Sequence, residues 1–319
     1  MKSKLNKFLR YLQIERGFSP GTIKAYQLDI EKGLIPFLHQ RGKFEVGEVT
    51  RNDIRAYLDY QATARGNSNA TRARKLAAIK SFLNYLVENE GLEVNPAASI
   101  RSPRIPEKEP VYLTDEESIC LLTTIAREAK PRVRERDMAT VVLFLHTGLR
   151  VSELTNLKLT NVDLDRGQIK ITRKGNKEQY LHLNGETVRA SVNYLAKRPE
   201  ARNGRFFVGT KGGNLSRTYV YGVVRKYLEL AGINKGKRGP HLLRHTFCTR
   251  LHQKGVDPFT IKDLAGHKSL NTTMRYVKIE NKEQAEAIDR LEFGELNVWC
   301  NSRGLARQPN ATRRTPQST

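Results

Sequence analysis

Between Asn95 and Pro110 the chain carries Pro96, Pro103, Pro106 and Pro110, interleaved with Arg101, Arg104 and Lys108. Proline has no N–H to donate and its ring clashes with the preceding helical turn, so such a stretch is extended chain, not helix interior or central strand. It divides a chain of 319 residues into two parts, each long enough to bury a core of its own. The expected layout is a helical domain over 1–100, a proline-rich basic linker over 101–112, a second domain over 113–293 and a polar, disordered tail over 294–319.

The first part reads as helices. Leu5, Phe8, Leu9 and Leu12 recur at helical spacing. Ser19-Pro20 is a helix start, with a cap residue followed by proline in the first turn. Thr50 with Asp53 makes a capping box ahead of Ile54, Tyr57 and Leu58. A further helix runs from near Ser68 to about Glu88, with Leu76, Ile79, Phe82, Leu83 and Leu86 on one side. Arg72, Arg74, Lys75 and Lys80 crowd its first half.

The second part opens on Thr114-Asp115-Glu116-Glu117, another capping box, with a helix expected to about Lys130. Arg136 to Thr147 reads as a mostly buried helix closed by Gly148. Two strand-like runs follow, Gln168 to Thr172 and Gln179 to Leu183, joined by Arg173-Lys174-Gly175-Asn176-Lys177, a turn signal. Beyond them the chain is expected to be helical to about Leu291, with loops at 204–214 and 234–239. The fold class is thus mainly α with a small β-sheet in the second domain.

Charge narrows the partner. The net charge is +23, and such a surplus calls for a polyanion, nucleic acid first, with a ribosomal or anionic-membrane surface as the alternative. Up to Ile105 there are eighteen Lys and Arg against ten acids, a surplus of +8 that leaves +15 for the rest. Both parts are therefore expected to face the polyanion, and the row Arg72, Arg74, Lys75 and Lys80 is read as its contact in the first part, against the alternative of a solvated face. The longest apolar run, Val141 to Leu145, is far short of the roughly 18 residues a membrane span needs, and a cytoplasmic protein is expected. The three cysteines have no metal-like spacing and no Cys/His pattern for a zinc site, and their odd number argues against a disulfide framework; Cys120 and Cys248 are expected in the core.

Residues that could carry chemistry are spread over the second part. His241 and Arg244 lie three apart, just after Gly239-Pro240, so both fall in a helical first turn, where an anion is favoured. Arg150 and Glu153 are likewise three apart, either a site pair or an ordinary helix ion pair. Lys174 sits at a hairpin tip. His267 follows Leu264-Ala265-Gly266, and Tyr276 comes nine residues later; 258–277 also reads as a plain helix-turn-helix.

Taken in order, five elements resemble the tyrosine recombinase (phage integrase) family: Thr-Gly-Leu-Arg-Val-Ser-Glu-Leu at 147–154, Lys-Gly-Asn-Lys at 174–177, His-Leu-Leu-Arg-His-Thr-Phe at 241–247, Leu-Ala-Gly-His-Lys-Ser-Leu at 264–270 and Thr-Thr-Met-Arg-Tyr at 272–276. The layout is most similar to the Xer recombinases and transposon integrases, over roughly residues 1 to 290, and includes Ser19 to Tyr26 with Asp29 in the first domain. The resemblance implies a two-domain, C-shaped clamp on duplex DNA, with a core-binding domain and a catalytic domain. It implies that Tyr276 attacks a DNA phosphorus to give a 3′-phosphotyrosyl link, that Arg150 and Arg244 hold the phosphate, that Lys174 protonates the leaving 5′-oxygen, that His241 assists proton transfer at Tyr276, that His267 bonds the phosphate and that Glu153 supports the site. It implies no cofactor and no ATP, since the link conserves the phosphodiester energy. It also implies a dimer on one DNA site, a tetramer at synapsis, and possible accessory proteins. A type IB topoisomerase-like or DNA-end-resolving enzyme is the alternative within this chemistry, and a non-catalytic helix-turn-helix regulator the alternative outside it. Two departures are visible. Gln179 stands where an arginine often follows the Lys-Gly-Asn-Lys-Glu turn, and the tail beyond Gly294 has no family pattern. Residues 281–292 read as an amphipathic helix that docks either on a neighbouring subunit or on its own domain.

Overall fold

The computed structural model describes residues 1–106, 110–173, 177–236 and 238–277. The expectations for the 281–292 helix and the tail lie outside the described residues, as do Cys300 and Lys174. The chain separates into two compact units, Met1–Lys108 and Glu109–Thr319.

The first unit is helical. α1 (Lys2–Ile14) buries Leu5, Phe8 and Leu12 at the expected spacing. α2 (Pro20–Asp29) starts on Ser19, whose hydroxyl accepts from the Thr22 N–H at 3.3 Å. A π-helical turn over Ile30–Leu34 leads directly into α3 (Ile35–Gln40). α4 (Arg51–Thr63) opens with the Thr50–Asp53 capping box, and α5 (Asn69–Asn89) is capped by Ser68. Phe8, Phe82, Tyr57 and the leucines of these helices close one core.

Two of the four basic residues of the α5 row spend charge inside this unit. The buried Asp29 carboxylate accepts from Arg74 and, at 3.2 Å, from Lys75. Lys80 donates to the Ala98 carbonyl at 2.9 Å, and Arg72 to Asn69 at 2.7 Å.

The second unit opens with α6 (Asp115–Glu128) on the Thr114–Glu117 capping box. Its inward stripe is Ser118, Leu121, Thr124 and Ile125, so Cys120 is exposed. The core position expected for Cys120 is corrected: it lies in a run, Ile119-Cys120-Leu121-Leu122, with no polar residue to mark which side faces out. Cys248 is buried as expected. α7 (Pro131–Thr147) begins five residues earlier than the apolar run suggests, because Pro131 supplies a ready first turn. It buries ten residues and ends on Gly148 at φ 59°.

α8 (Val151–Asn156) follows at once, and then a three-stranded antiparallel sheet in the order β1 (Val162–Asp163), β2 (Gln168–Thr172), β3 (Glu178–His182). The register pairs Ile169 with Leu181 and Ile171 with Gln179. The sheet buries Ile169, Ile171 and Leu181 against the core that α7 and α9 (Gly185–Lys197) share. α10 (Arg217–Leu230), α11 (Pro240–Gln253), α12 (Pro258–Ala265) and the short α13 (Leu270–Met274) complete the described chain. Among the described residues no helix is long and apolar enough to cross a membrane.

Candidate active site

The site is built around the carbonyl end of α12. The last carbonyls of a helix have no partner within it. Here Gly266, in the left-handed conformation at φ 64°, ends α12 and turns the chain toward His267. Three arginines from three different elements donate to the carbonyls so exposed. Arg150 Nη2 donates to Gly266 O at 2.6 Å, Arg173 Nη2 to Leu264 O at 2.7 Å, Arg173 Nη1 to Ala265 O at 3.2 Å, and Arg244 Nη2 also to Ala265 O. Each guanidinium thus meets the negative end of the helix dipole.

One carboxylate sits among them. Glu153, 9% exposed, receives Arg150 Nη1 on Oε1 at 2.8 Å and Arg173 Nη1 on Oε2 at 2.9 Å. Its Oε2 also accepts the Arg150 backbone N–H at 2.8 Å, which starts α8. The Arg150–Glu153 spacing is therefore part of a network spanning three elements, not an isolated surface pair. Three cations and one anion leave a local surplus of positive charge.

Arg244 is 7% exposed, lies in the first turn and a half of α11, and also donates to the Gly148 carbonyl. Burial pulls its guanidinium down to about 10, with Arg150 adding to the effect; it stays charged at neutral pH. Burial likewise lowers Arg173, against the pull of Glu153. His267 is pushed down to about 4 by burial first and then by Arg244, Arg150 and Arg173, so its ring is neutral at physiological pH. Its Nδ1 is 2.8 Å from the Thr273 hydroxyl.

Tyr276 is 6% exposed and packs with Phe247, Cys248, Ile261 and Ala265. Its ring lies nearly parallel to that of His267, with centroids 6.1 Å apart. Its Oη is 2.6 Å from His245 Nδ1. Burial raises the phenol well above the ordinary tyrosine value, while Arg244 and Arg275 pull the other way. In this pose Tyr276 is protonated at neutral pH. His241 stands on the exposed side of the start of α11, with its ring 6.4 Å from that of Tyr221.

Arg150, Glu153, Arg244, His267 and Tyr276 are thus brought together through α12 and α11. Two residues of the site are additions to the sequence reading. His245 stood inside a quoted motif without a role, and its i+4 spacing from His241 and i+1 spacing from Arg244 gave no sign of which way it points. Arg173 was read only as a turn residue. Among the described residues no group of His, Cys, Asp and Glu is placed to hold a metal ion.

Comparisons with known proteins cover most of both units. The phage integrase family pattern matches residues 112–283, and the phage integrase N-terminal SAM-like domain matches residues 5–90. The chain is 33% identical to tyrosine recombinase XerC of Caldanaerobacter subterraneus subsp. tengcongensis over 308 residues, covering 90% of this chain and 86% of the relative. It is also 33% identical to XerC of Thermodesulfovibrio yellowstonii, covering 90% of this chain and 95% of the relative. Among solved structures, the XerH site-specific recombinase bound to its palindromic difH substrate in a post-cleavage complex superposes with a TM-score of 0.73 at 25% identity, covering 89% of this chain and 84% of that one. The Tn1549 transposon integrase in complex with a circular intermediate DNA shares the fold, with a TM-score of 0.70 at 19% identity over 90% of this chain and 99% of that one.

Proposed function

The chain belongs to the phage integrase family, and from that premise we propose that Tyr276 is the nucleophile with which it cuts and rejoins duplex DNA at specific sites. It is a site-specific DNA recombinase of the tyrosine type. The observation that carries the assignment of roles is the convergence of Arg150 and Arg244 on the turn before His267, with Tyr276 stacked on that histidine.

The chemistry follows from the groups. Tyr276 Oη attacks a backbone phosphorus; the P–O bond to the 5′-oxygen breaks, and a 3′-phosphotyrosyl ester remains. A phenol is a weak nucleophile while it holds its proton. His245 Nδ1 lies 2.6 Å away, and in the tautomer that carries its ring proton on Nε2 it accepts the phenol proton. His241, exposed in the first turn of α11, assists from the side of the bound DNA. Lys174, outside the described residues, protonates the departing 5′-oxygen.

Arg150 and Arg244 each have five N–H donors and use two on the carbonyls and on Glu153. The remaining donors are directed by rigid partners, which suits them to the charge that builds on the phosphate oxygens. Neutral His267 adds a hydrogen bond to the phosphate. Religation runs the same steps backwards with a 5′-hydroxyl as nucleophile, so the reaction needs no ATP.

Duplex DNA is the partner of both units. In the first, Asp29 neutralises one charge of the α5 row, and Arg72, Arg74, Lys75 and Lys80 keep a surplus for phosphates. Exchange between two duplexes cuts four strands, and one tyrosine serves one strand. We therefore read the working assembly as a dimer on each site and a tetramer at synapsis, in the cytoplasm beside the chromosome.

The test is covalent capture. A duplex with a nick just 3′ of the scissile phosphate loses its 5′-hydroxyl end after cleavage and traps the link. A library of such duplexes incubated with the protein in a metal chelator, without ATP, is expected to yield denaturant-resistant protein–DNA adducts enriched in one sequence. Binding without any adduct would favour the helix-turn-helix regulator instead.

A further inference from the structure

The geometry points to Arg173 as a positioning residue for strand cleavage: its buried guanidinium holds Glu153 and the carbonyl end of α12, and through them Arg150 and the turn that carries His267. The inference rests on the recombinase reading above.

Arg173 follows β2 directly, and its side chain is 8% exposed. All three of its nitrogens are already bonded to protein acceptors, so its effect on the reaction passes through those partners. Those partners are Glu153 Oε2 at 2.9 Å, Leu264 O at 2.7 Å, Ala265 O at 3.2 Å and Gln179 Oε1 at 2.9 Å. A carboxylate held on Oε1 by Arg150 and on Oε2 by Arg173 cannot rotate. Arg150, whose side chain is 34% exposed, is thereby given one orientation from beneath.

The α12 end is held the same way. Without Arg173 the Leu264 and Ala265 carbonyls lose its guanidinium, and the α12 end is tied to the sheet only one residue further back, through Gln179 and Asp263 O. Gly266 fits this contact. A Cβ there would stand 2.7 Å from Arg173 Nε and 2.8 Å from Cζ, so the guanidinium lies against bare backbone.

Gln179 completes the arrangement. Because Ile171 pairs with Gln179, position 173 projects on the same face of the hairpin as 179. Gln179 accepts from Arg173 with one end of its amide and donates to Asp263 O at 3.0 Å with the other. An arginine at 179 could only donate, and would set a second cation against Arg173. The glutamine that departs from the family's frequent arginine is thus the residue that suits Arg173. The two positions form a coupled pair, in which the guanidinium comes from either strand but not from both.

The experiment uses the full chain on a nicked duplex captured by the wild-type protein. It compares Arg173→Lys, Arg173→Gln, Gln179→Arg and the exchange Arg173→Gln with Gln179→Arg. Single-turnover adduct formation at saturating duplex is read beside the dissociation constant. Lysine keeps the charge but has one donor group where the site uses three. All three single variants are expected to cleave about tenfold to a hundredfold more slowly, as misplaced catalytic groups do. Their duplex affinity is expected to change little, and the exchange to recover most of the lost rate. Should Arg173→Gln fail to fold, the exchange variant reads the same coupling, and failure of both to fold overturns it. Single variants that cleave at the wild-type rate, or an exchange no faster than Arg173→Gln, also overturn it. A wild-type chain that forms no adduct instead contradicts the recombinase reading, and the inference with it.

Discussion

At the scale of single residues, the site depends on charges placed out of water and held by named partners. Glu153 is the clearest case, since Arg150 and Arg173 share it. Removing one member of such a buried group leaves the others uncompensated. Glu153→Ala is expected to cost about 3–5 kcal/mol in denaturant unfolding, and a loss under about 1 kcal/mol would mean the pair behaves as a surface one. His267 makes a second prediction. Its folded value of about 4 lies below the ordinary 6.5, so the unfolded chain holds a proton that the folded chain refuses. Stability from this source is intact above 6.5, falls as the pH drops from 6.5 toward 4, and is fully lost below. Melting temperatures taken between pH 7.5 and 4.5 are expected to fall less steeply for His267→Gln than for the parent; equal slopes would contradict the burial of the ring. These partnerships were only partly legible in the sequence. Arg150, Arg244, His267 and Tyr276 stood out through the order of their motifs. Arg173 and His245 did not, because their importance comes from what they reach across the fold, and nothing local distinguishes a buried arginine from a turn arginine.

At the scale of elements, the sequence was most legible where backbone chemistry is local. The capping boxes at Thr50 and Thr114 and the caps at Ser19 and Ser68 fall at the helix starts their residues predict. The π-helical turn over Ile30–Leu34 was not legible, since an extra residue in a turn leaves no signal of its own in a short apolar segment. Cys120 was misplaced for a related reason, as four apolar residues in a row carry no period. The junction of α7 and α8 joins backbone geometry to the site. Gly148 ends α7 at φ 59°, its carbonyl receives Arg244, and a Cβ there would stand 2.3 Å from Phe247 Cδ1. Gly148→Ala combines a left-handed alanine, about 1–2 kcal/mol, with a clash in the cluster that also holds Tyr276. It is expected to lower both denaturant stability and cleavage rate, and unchanged values in both would show that this junction does not set Arg244.

At the scale of the whole molecule, the net charge of +23 and its division between the two parts of the chain make DNA binding an electrostatic event. If both units neutralise phosphates, roughly six to ten counterions leave on binding. Duplex affinity is then expected to fall by about 10³ or more between 50 and 200 mM salt. A nearly flat dependence, measured by titration at several salt concentrations, would contradict the broad contact. Cleavage is a separate matter, because the roles proposed for it fall on residues from 150 to 276 that the fold brings together at the end of α12. The claim on which all of this turns is that Tyr276 is the nucleophile. The most direct test is to place Tyr276→Phe beside the parent on the same nicked duplex and follow both binding and denaturant-resistant adducts. The predicted result is duplex binding close to the parent's, with adducts in the parent and none in the variant. An adduct that persists in Tyr276→Phe would show that another residue attacks the DNA.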